Sequence, residues 1–520
     1  MLVISRVSTT VLLVLGVLAF ATAPAVAELS TPNLFGNHMV LQRDAPAPLW
    51  GRATPDAEVT VTLTGGANQT HTVTAAEDGR WRVVLEPLSP GEPLTVTISG
   101  DGKLEFRDVV VGEVWVCSGQ SNMKWAVNRS MNGELDLLTA DRPNLRLLTV
   151  PGSGSQTPRD DFQGQWERCT PAAAGPFSAI GYHFGRRLVD VLDVPVGLID
   201  NAWGGSAAEA WTPRERLEAD ERFATAAKKW QQRDAQSDVA QQTEQNEKSM
   251  KNWRRRADQS IAKGQRPPEI PQGRGWLFGN QRPGNLYQAR VAPIAGYAVR
   301  GVIWYQGESN QDRAAMYNVL FPLMIESWRD AWGQEKLPFY WVQLADYLAV
   351  HPNPTDSKWA RVREAQTKTL DRLPDTGQAV IIDLGEGNDI HPRNKQEVAN
   401  RLARIALAKD YGYQLRYQSP RLKSMEVVNG KAILTLAPFG SGLKVVDSDQ
   451  IVGFAICGAD KKWQWAKAKL VDKGKTGQVE VWHPQIAEPV AVRYAWADNP
   501  EANLFTGERL PVTPFRTDDW

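Results

Sequence analysis

From Pro32 to about Asp108, apolar and polar residues alternate in short runs such as Val59-Thr60-Val61-Thr62-Leu63 and Trp81-Arg82-Val83-Val84-Leu85, broken by Gly, Pro, Asn and Asp. Period-two alternation with turn residues at each break predicts a small β-sandwich over residues 28–108. Past Val109 the period changes. Apolar runs at Leu145 to Val150, Val196 to Ile199, Val299 to Tyr305, Phe339 to Leu344 and Ala379 to Leu384 alternate with segments of helical spacing. One of these, Phe177 to Leu192, sets Ile180, Phe184, Leu188 and Val191 on a single face; another, near Met316 to Trp328, aligns Tyr317, Leu320, Phe321, Met324 and Trp328. Apolar strands alternating with amphipathic helices predict a largely parallel sheet covered by helices on both sides, here over residues 109–410. Within it, from about Arg214 to Lys263, a charge- and Gln-rich stretch carries sparse apolar positions at Phe223, Trp230, Met250, Trp253 and Ile261, which reads as two helices forming a solvated arm or lid. Alternation returns from about Leu415, as in Ala432-Ile433-Leu434-Thr435-Leu436, and predicts a second β-domain over residues 411–520.

At 520 residues the chain exceeds what one core usually fills, in keeping with this division. Acids and bases balance at 59 each, which removes the electrostatic case for a nucleic acid or an anionic membrane as partner. Arg254-Arg255-Arg256 has no second basic patch beside it and reads as a solvated helix face. At the start of the chain Arg6 precedes the apolar stretch Val11 to Phe20, followed by Ala25-Val26-Ala27, the small-x-small pattern of a signal-peptidase site. Residues 1–27 are therefore expected to be a signal peptide, with export to a periplasmic or extracellular location; the stretch is short for a bilayer span. Three cysteines, Cys117, Cys169 and Cys457, do not make a disulfide-stapled scaffold, and none stands in a metal-ligand spacing.

The candidate chemistry falls just after the predicted strands, and in a parallel sheet those loops open on one shared edge. The apolar run Val109 to Val116 leads into Gly119-Gln120-Ser121-Asn122, a turn that presents the Ser121 hydroxyl where a strand passes into a helix. Its geometry is that of a nucleophile elbow, although the residues are not Gly-x-Ser-x-Gly. Such a turn is weak evidence alone, because Ser and Asn populate ordinary βα loops and helix N-caps. The other strand ends add Asn201 to Ser206, Gln306-Gly307-Glu308-Ser309-Asn310 and Asp389-Ile390-His391-Pro392, which together are the parts of acyl transfer.

A serine hydroxyl attacks poorly unless a base removes its proton. Of six histidines, His391 is the best placed: it follows the final strand and precedes a helix start marked by Asn394 and Glu397. Asp389 either orients the imidazole through Nδ1 or is a turn-forming residue, a backbone carbonyl then orienting His391 instead. For the oxyanion, Gly205 offers a backbone N–H, and the side-chain amide of Gln306 or Asn310 adds a second donor; Gly204-Gly205 reads equally as a plain tight turn. Glu308 either binds sugar hydroxyls or braces the loops through internal hydrogen bonds, and the second reading is preferred. Trp203, Trp304 and Tyr305 are either sugar-stacking surfaces or core.

At these segments the sequence resembles the sialate O-acetylesterase family of the SGNH hydrolases, related to the carbohydrate acetylesterases. The resemblance runs through Leu34-Phe35-Gly36 with Met39 to Arg43, Trp115 to Met123, Val302 to Asn310, Asp389 to Pro392, and near the end Val492 to Trp496 and Pro514 to Asp518, so it covers nearly all of the chain after residue 27. It implies an SGNH-type, flavodoxin-like three-layer α/β/α hydrolase domain with a parallel sheet. It also implies Ser121 as nucleophile, His391 as base, Gly205 and the Gln306 to Asn310 loop near the oxyanion, an acetylated sugar as substrate, and no metal or organic cofactor. The commoner SGNH pattern has an aspartate three residues before the histidine, where this chain has Asn388; Asp389 is the working choice for the triad acid. Acetylated xylan or another polysaccharide is the alternative substrate, and a non-catalytic carbohydrate-binding protein the alternative function.

Overall fold

The computed structural model describes residues 28–520; the leader-like segment 1–27 lies outside the described residues. Its centre is a sheet in the order Thr376–Ala379, Phe339–Val342, Gly301–Tyr305, Lys103–Gly119, Val196–Asp200, Arg142–Thr149 and Glu167–Cys169. The first six strands are parallel and the last pairs antiparallel. Val196–Asp200, Gly301–Tyr305 and Phe339–Val342 are buried at every position, which is why they read as unbroken apolar runs rather than alternating ones.

Neighbouring residues on a strand point to opposite faces, and the aromatic contacts follow that rule. Trp115 and Tyr340 meet on one face, where Trp115 also packs on Phe184 of the helix Ala179–Leu192. On the other face Trp304 packs on Trp328, and Phe339 on Phe321 and Trp328, all from the helix Ala314–Trp332. Lys395–Lys409 lies beside Ala179–Leu192, and Lys358–Thr369 beside Ala314–Trp332, completing three layers. Among the described residues no helix is long and apolar enough to cross a membrane.

One strand differs from the sequence pattern. Pairing occurs at Thr376–Ala379, not along Ala379 to Leu384. Val380 and Ile382 turn instead into the core of the C-terminal β-structure, beside Leu434, Leu436 and Val492. The apolar run there records burial against a second core.

Lys103–Gly119 is 17 residues long. Its first part pairs antiparallel with Leu94–Ser99 in the N-terminal β-structure, and its second part pairs parallel with Val196–Asp200 and Gly301–Tyr305. The N-terminal strands and the central sheet accordingly share one apolar core. The charge-rich stretch holds the helices Ala224–Ala235 and Val239–Ala262.

The long strand ends at Gly119 with φ +130°, and a Cβ there would lie 2.2 Å from the Tyr305 carbonyl oxygen. Only glycine lets the turn that carries Ser121 approach the adjacent strand so closely. Gly119→Ala is expected to lower the free energy of unfolding by at least about 2 kcal/mol, through overpacking and backbone strain. Urea denaturation measures this; an unaltered midpoint would mean that the turn relaxes without cost.

Candidate active site

Because the strands are parallel, the segments leaving Gly119, Asp200 and Tyr305 open on the same edge of the sheet. The strand Lys103–Gly119 sits between the other two, and the chain crosses over it between Asp200 and Gly301, so Ser121 lies where the strand order switches. Crevices form at such switch points because the flanking connections diverge. Ser121 opens the one-turn helix Ser121–Lys124, and the Gln120 N–H donates to the Tyr305 carbonyl at 2.8 Å, holding the turn against the neighbouring strand end.

Across the crevice, His391 Nε2 lies 2.8 Å from Ser121 Oγ. The helix that follows is capped by Asn394, whose side chain accepts the Glu397 N–H at 3.2 Å, and this anchors the segment that carries the imidazole. The His391 ring stacks on Trp125, with centroids 4.8 Å apart and planes 17° from parallel, and the Arg129 guanidinium lies 3.9 Å from the centre of the same indole. Burial holds the imidazole below its ordinary pKa, the Lys395 and Arg129 charges add to this, and Asp389 opposes it. A base shifted in this direction stays neutral, and able to accept a proton, to lower pH.

Asp389 does two things. Its Oδ1 accepts the backbone N–H of His391 at 2.8 Å, the geometry of a turn-forming aspartate, and stands 3.5 Å from His391 Nδ1. That second contact is longer than a charge-assisted hydrogen bond, and the side chain is 49% exposed, so Asp389 acts on the imidazole through charge at ion-pair range.

The oxyanion side departs from the sequence reading. Gln306 is fully buried; its Nε2 donates to the Ser206 carbonyl at 3.1 Å and to Asn310 Oδ1 at 2.7 Å, while its Oε1 accepts from Tyr317. Asn310 Nδ2 donates to Glu209 at 2.8 Å, and Asn310 Oδ1 also accepts the Ala208 N–H. Gln306 spends both amide hydrogens in bracing the loops, which removes it as a side-chain donor to an oxyanion, whereas Asn310 spends one of its two on Glu209. Gly204 and Gly205 form the turn opposite: a Cβ on Gly204 would sit 3.5 Å from Ser121 Cβ, and Gly205 has φ +69°. Among the described residues, neither the Gly205 N–H nor the Ser121 N–H donates to a protein acceptor. Trp203, Trp304 and Tyr305 are each 2% exposed or less and belong to the core, so no sugar stacks on them.

A family profile described as carbohydrate esterase, sialic acid-specific acetylesterase, matches residues 274–408, which hold the Gln306 to Asn310 loop and His391. The sialate O-acetylesterase of Mus musculus is 32% identical over 520 aligned residues, spanning 92% of each chain. The chain belongs to the sialate O-acetylesterase family. The Homo sapiens member is 30% identical, with 97% of this chain and 95% of that protein covered. The crystal structure of a carbohydrate acetylesterase from Xanthomonas citri superposes with a TM-score of 0.79 at 37% identity, covering 95% of this chain and all of that one. The fold is SGNH-type α/β, and the protein is a carboxylic ester hydrolase.

In this member of the sialate O-acetylesterase family, Asn122 and Lys395, which the sequence did not single out for a role, tie the two halves of the site together. Asn122 Nδ2 donates to Glu308 at 2.7 Å and to the carbonyl of Ile390, the residue before His391, at 2.9 Å. Asn122 Oδ1 accepts from Lys395 Nζ at 2.6 Å. Lys395 is fully buried, with Nζ 5.8 Å from the Trp125 ring centre and 5.6 Å from that of Tyr305. Burial pulls its ammonium down to about 7, with Glu308, Asp389 and Glu386 opposing. Burial likewise raises the Glu308 carboxyl, whose Oε1 accepts from Asn122 inside the protein.

Proposed function

We propose that this protein is an exported carbohydrate O-acetylesterase, sialate O-acetylesterase-like, that releases acetate from acetylated sugars through an acetyl-enzyme on Ser121. The observation that carries the reading is the 2.8 Å contact between Ser121 Oγ and His391 Nε2. His391 takes the hydroxyl proton as Ser121 Oγ attacks the acetyl carbonyl, and the charge on the carbonyl oxygen falls to the backbone N–H groups of Ser121 and Gly205. Collapse breaks the bond to the sugar oxygen, which takes the proton back from the imidazolium. Water then attacks acetyl-Ser121 with His391 again as base, freeing acetate and the hydroxyl. Asp389 favours the imidazolium in both halves through its charge. The closeness of Gly204 to Ser121 suits a small acyl group. The choice of acetylated sugars is supported by the names of the relatives, and export by the pattern from Arg6 to Ala27. On the same reading, residues 28–108 and 411–520 are β-domains flanking a catalytic domain at 109–410.

Acid-quenched turnover of a chromogenic acetate ester is expected to give one acetyl group per chain, located by peptide mass spectrometry on Ser121. Acetate release from O-acetyl sialic acid and from acetyl-xylan, measured side by side, then ranks the substrates. Turnover of neither, in a protein that still acetylates at Ser121, would reject the sugar assignment while keeping the serine chemistry.

A further inference from the structure

The outer torsion of a histidine side chain is broad, so rotamer preference alone does not hold the His391 ring in the plane that brings Nε2 to Ser121 Oγ. In a Ser-His-Asp triad an acid bonded to Nδ1 does so. Here Asp389 Oδ1 stands 3.5 Å from Nδ1 on a half-exposed side chain, a range at which charge is felt but direction is loose. What lies flat against the imidazole is the Trp125 indole, with centroids 4.8 Å apart and planes 17° from parallel.

That indole is held from several sides. Trp125 caps the C-terminal end of the one-turn helix that opens with Ser121, so the hydroxyl and the indole are carried by one short segment. The Trp125 carbonyl accepts the Ala179 N–H at 2.7 Å, Ala126 bridges to Ser178, and the Val127 N–H donates to the Phe177 carbonyl at 3.0 Å. These bonds moor the backbone to the start of the helix Ala179–Leu192. The indole N–H donates to the Arg129 carbonyl at 3.0 Å, which fixes the ring's rotation, and the Arg129 guanidinium lies 3.9 Å from the ring centre. The imidazole thus rests on a shelf fixed to the same turn as Ser121.

We infer that Trp125 is a positioning residue for His391: its indole face sets the imidazole plane in which Nε2 meets the Ser121 hydroxyl, a duty that an acid performs in a triad. The inference rests on the acyl transfer proposed above and adds to it the group that orients the base. Near-parallel rings at this separation attract one another, and an indole face also attracts a cation, so the ring keeps its seat when it becomes imidazolium. His391 is the base both when the acetyl group reaches Ser121 and when water removes it. The shelf therefore acts in both halves, including the second, from which the sugar has already departed. A wall that bound the sugar would act in the first half alone.

Trp125→Leu and Trp125→Met keep apolar cover without a flat face, whereas Trp125→Phe keeps the face. With 4-nitrophenyl acetate in stopped flow, the burst reports acetylation of Ser121 and the steady phase reports its hydrolysis. Both rates are taken per acetyl group titrated, so loss of folded protein does not enter. In the Leu and Met variants both are expected to fall about tenfold, with KM for O-acetyl sialic acid within about twofold of wild type, and in Trp125→Phe both should stay within about threefold. Unchanged hydrolysis of the acetyl-enzyme in the Leu and Met variants overturns the positioning role. A rise in KM on the acetylated sugar with both rates intact makes Trp125 a sugar contact and overturns it likewise, as does a loss in Trp125→Phe as deep as that in Trp125→Leu. Wild-type protein that forms no acetyl group on Ser121 would instead reject the acyl-enzyme reading on which the inference stands.

Discussion

In Ser121→Ala, kcat/KM for an acetylated sugar is expected to fall by about a millionfold, His391→Ala to fall by a similar factor, and the double variant to fall little further. On the proposed mechanism the hydroxyl and the imidazole, 2.8 Å apart, act as one unit, so removing either leaves the other with nothing to do. What remains is the rate that binding and the Ser121 and Gly205 N–H groups supply without a nucleophile, roughly a thousandfold over water. Steady-state kinetics on the three variants, with circular dichroism to establish that each is folded, make the test. Losses that multiply in the double variant would show two independent contributions and break the pairing. A retained burst in Ser121→Ala would move the nucleophile elsewhere.

Lys395→Met is expected to destabilise the fold by about 3 kcal/mol or more, because removing one member of a buried charged group leaves its partners uncompensated. Asn122 Oδ1 loses its donor, and the Glu308 carboxyl loses the nearest opposing charge. Adding Glu308→Gln should return part of that stability in urea denaturation. The same variant reads out on the pH profile. His391 is faced by Lys395 and Arg129 on the lowering side and by Asp389 on the raising side. On the proposed mechanism the free base is the active form, so activity is expected above the imidazole pKa and fades as pH falls through it. Lys395 carries its charge below about 7, the range in which that limb lies. Without the charge the imidazole pKa rises, and the acid limb of kcat/KM should move to higher pH. Lys395→Arg should leave the limb near its wild-type position. A limb unmoved in Lys395→Met would reduce Lys395 to a packing role.

Most of the sheet was readable because burial on both faces writes unbroken apolar runs, as at Val196–Asp200 and Gly301–Tyr305. The run from Ala379 to Leu384 misled for the same reason: Val380 and Ile382 are buried, but in another core. The loops that carry Ser121, Gly205 and His391 were legible from their places after strands. The duties of Gln306 and Asn310 were not. A side-chain amide that stabilises an oxyanion and one that braces a loop look identical in sequence, and only the positions of Ser206, Tyr317 and Glu209 tell them apart. Asn122 and Lys395 were hidden because their partners lie hundreds of positions away.

The strand Lys103–Gly119 begins in the N-terminal β-structure and ends two residues before Ser121. The front of this chain is therefore no detachable accessory. Trimming it would saw through the very beam on which Ser121 is mounted.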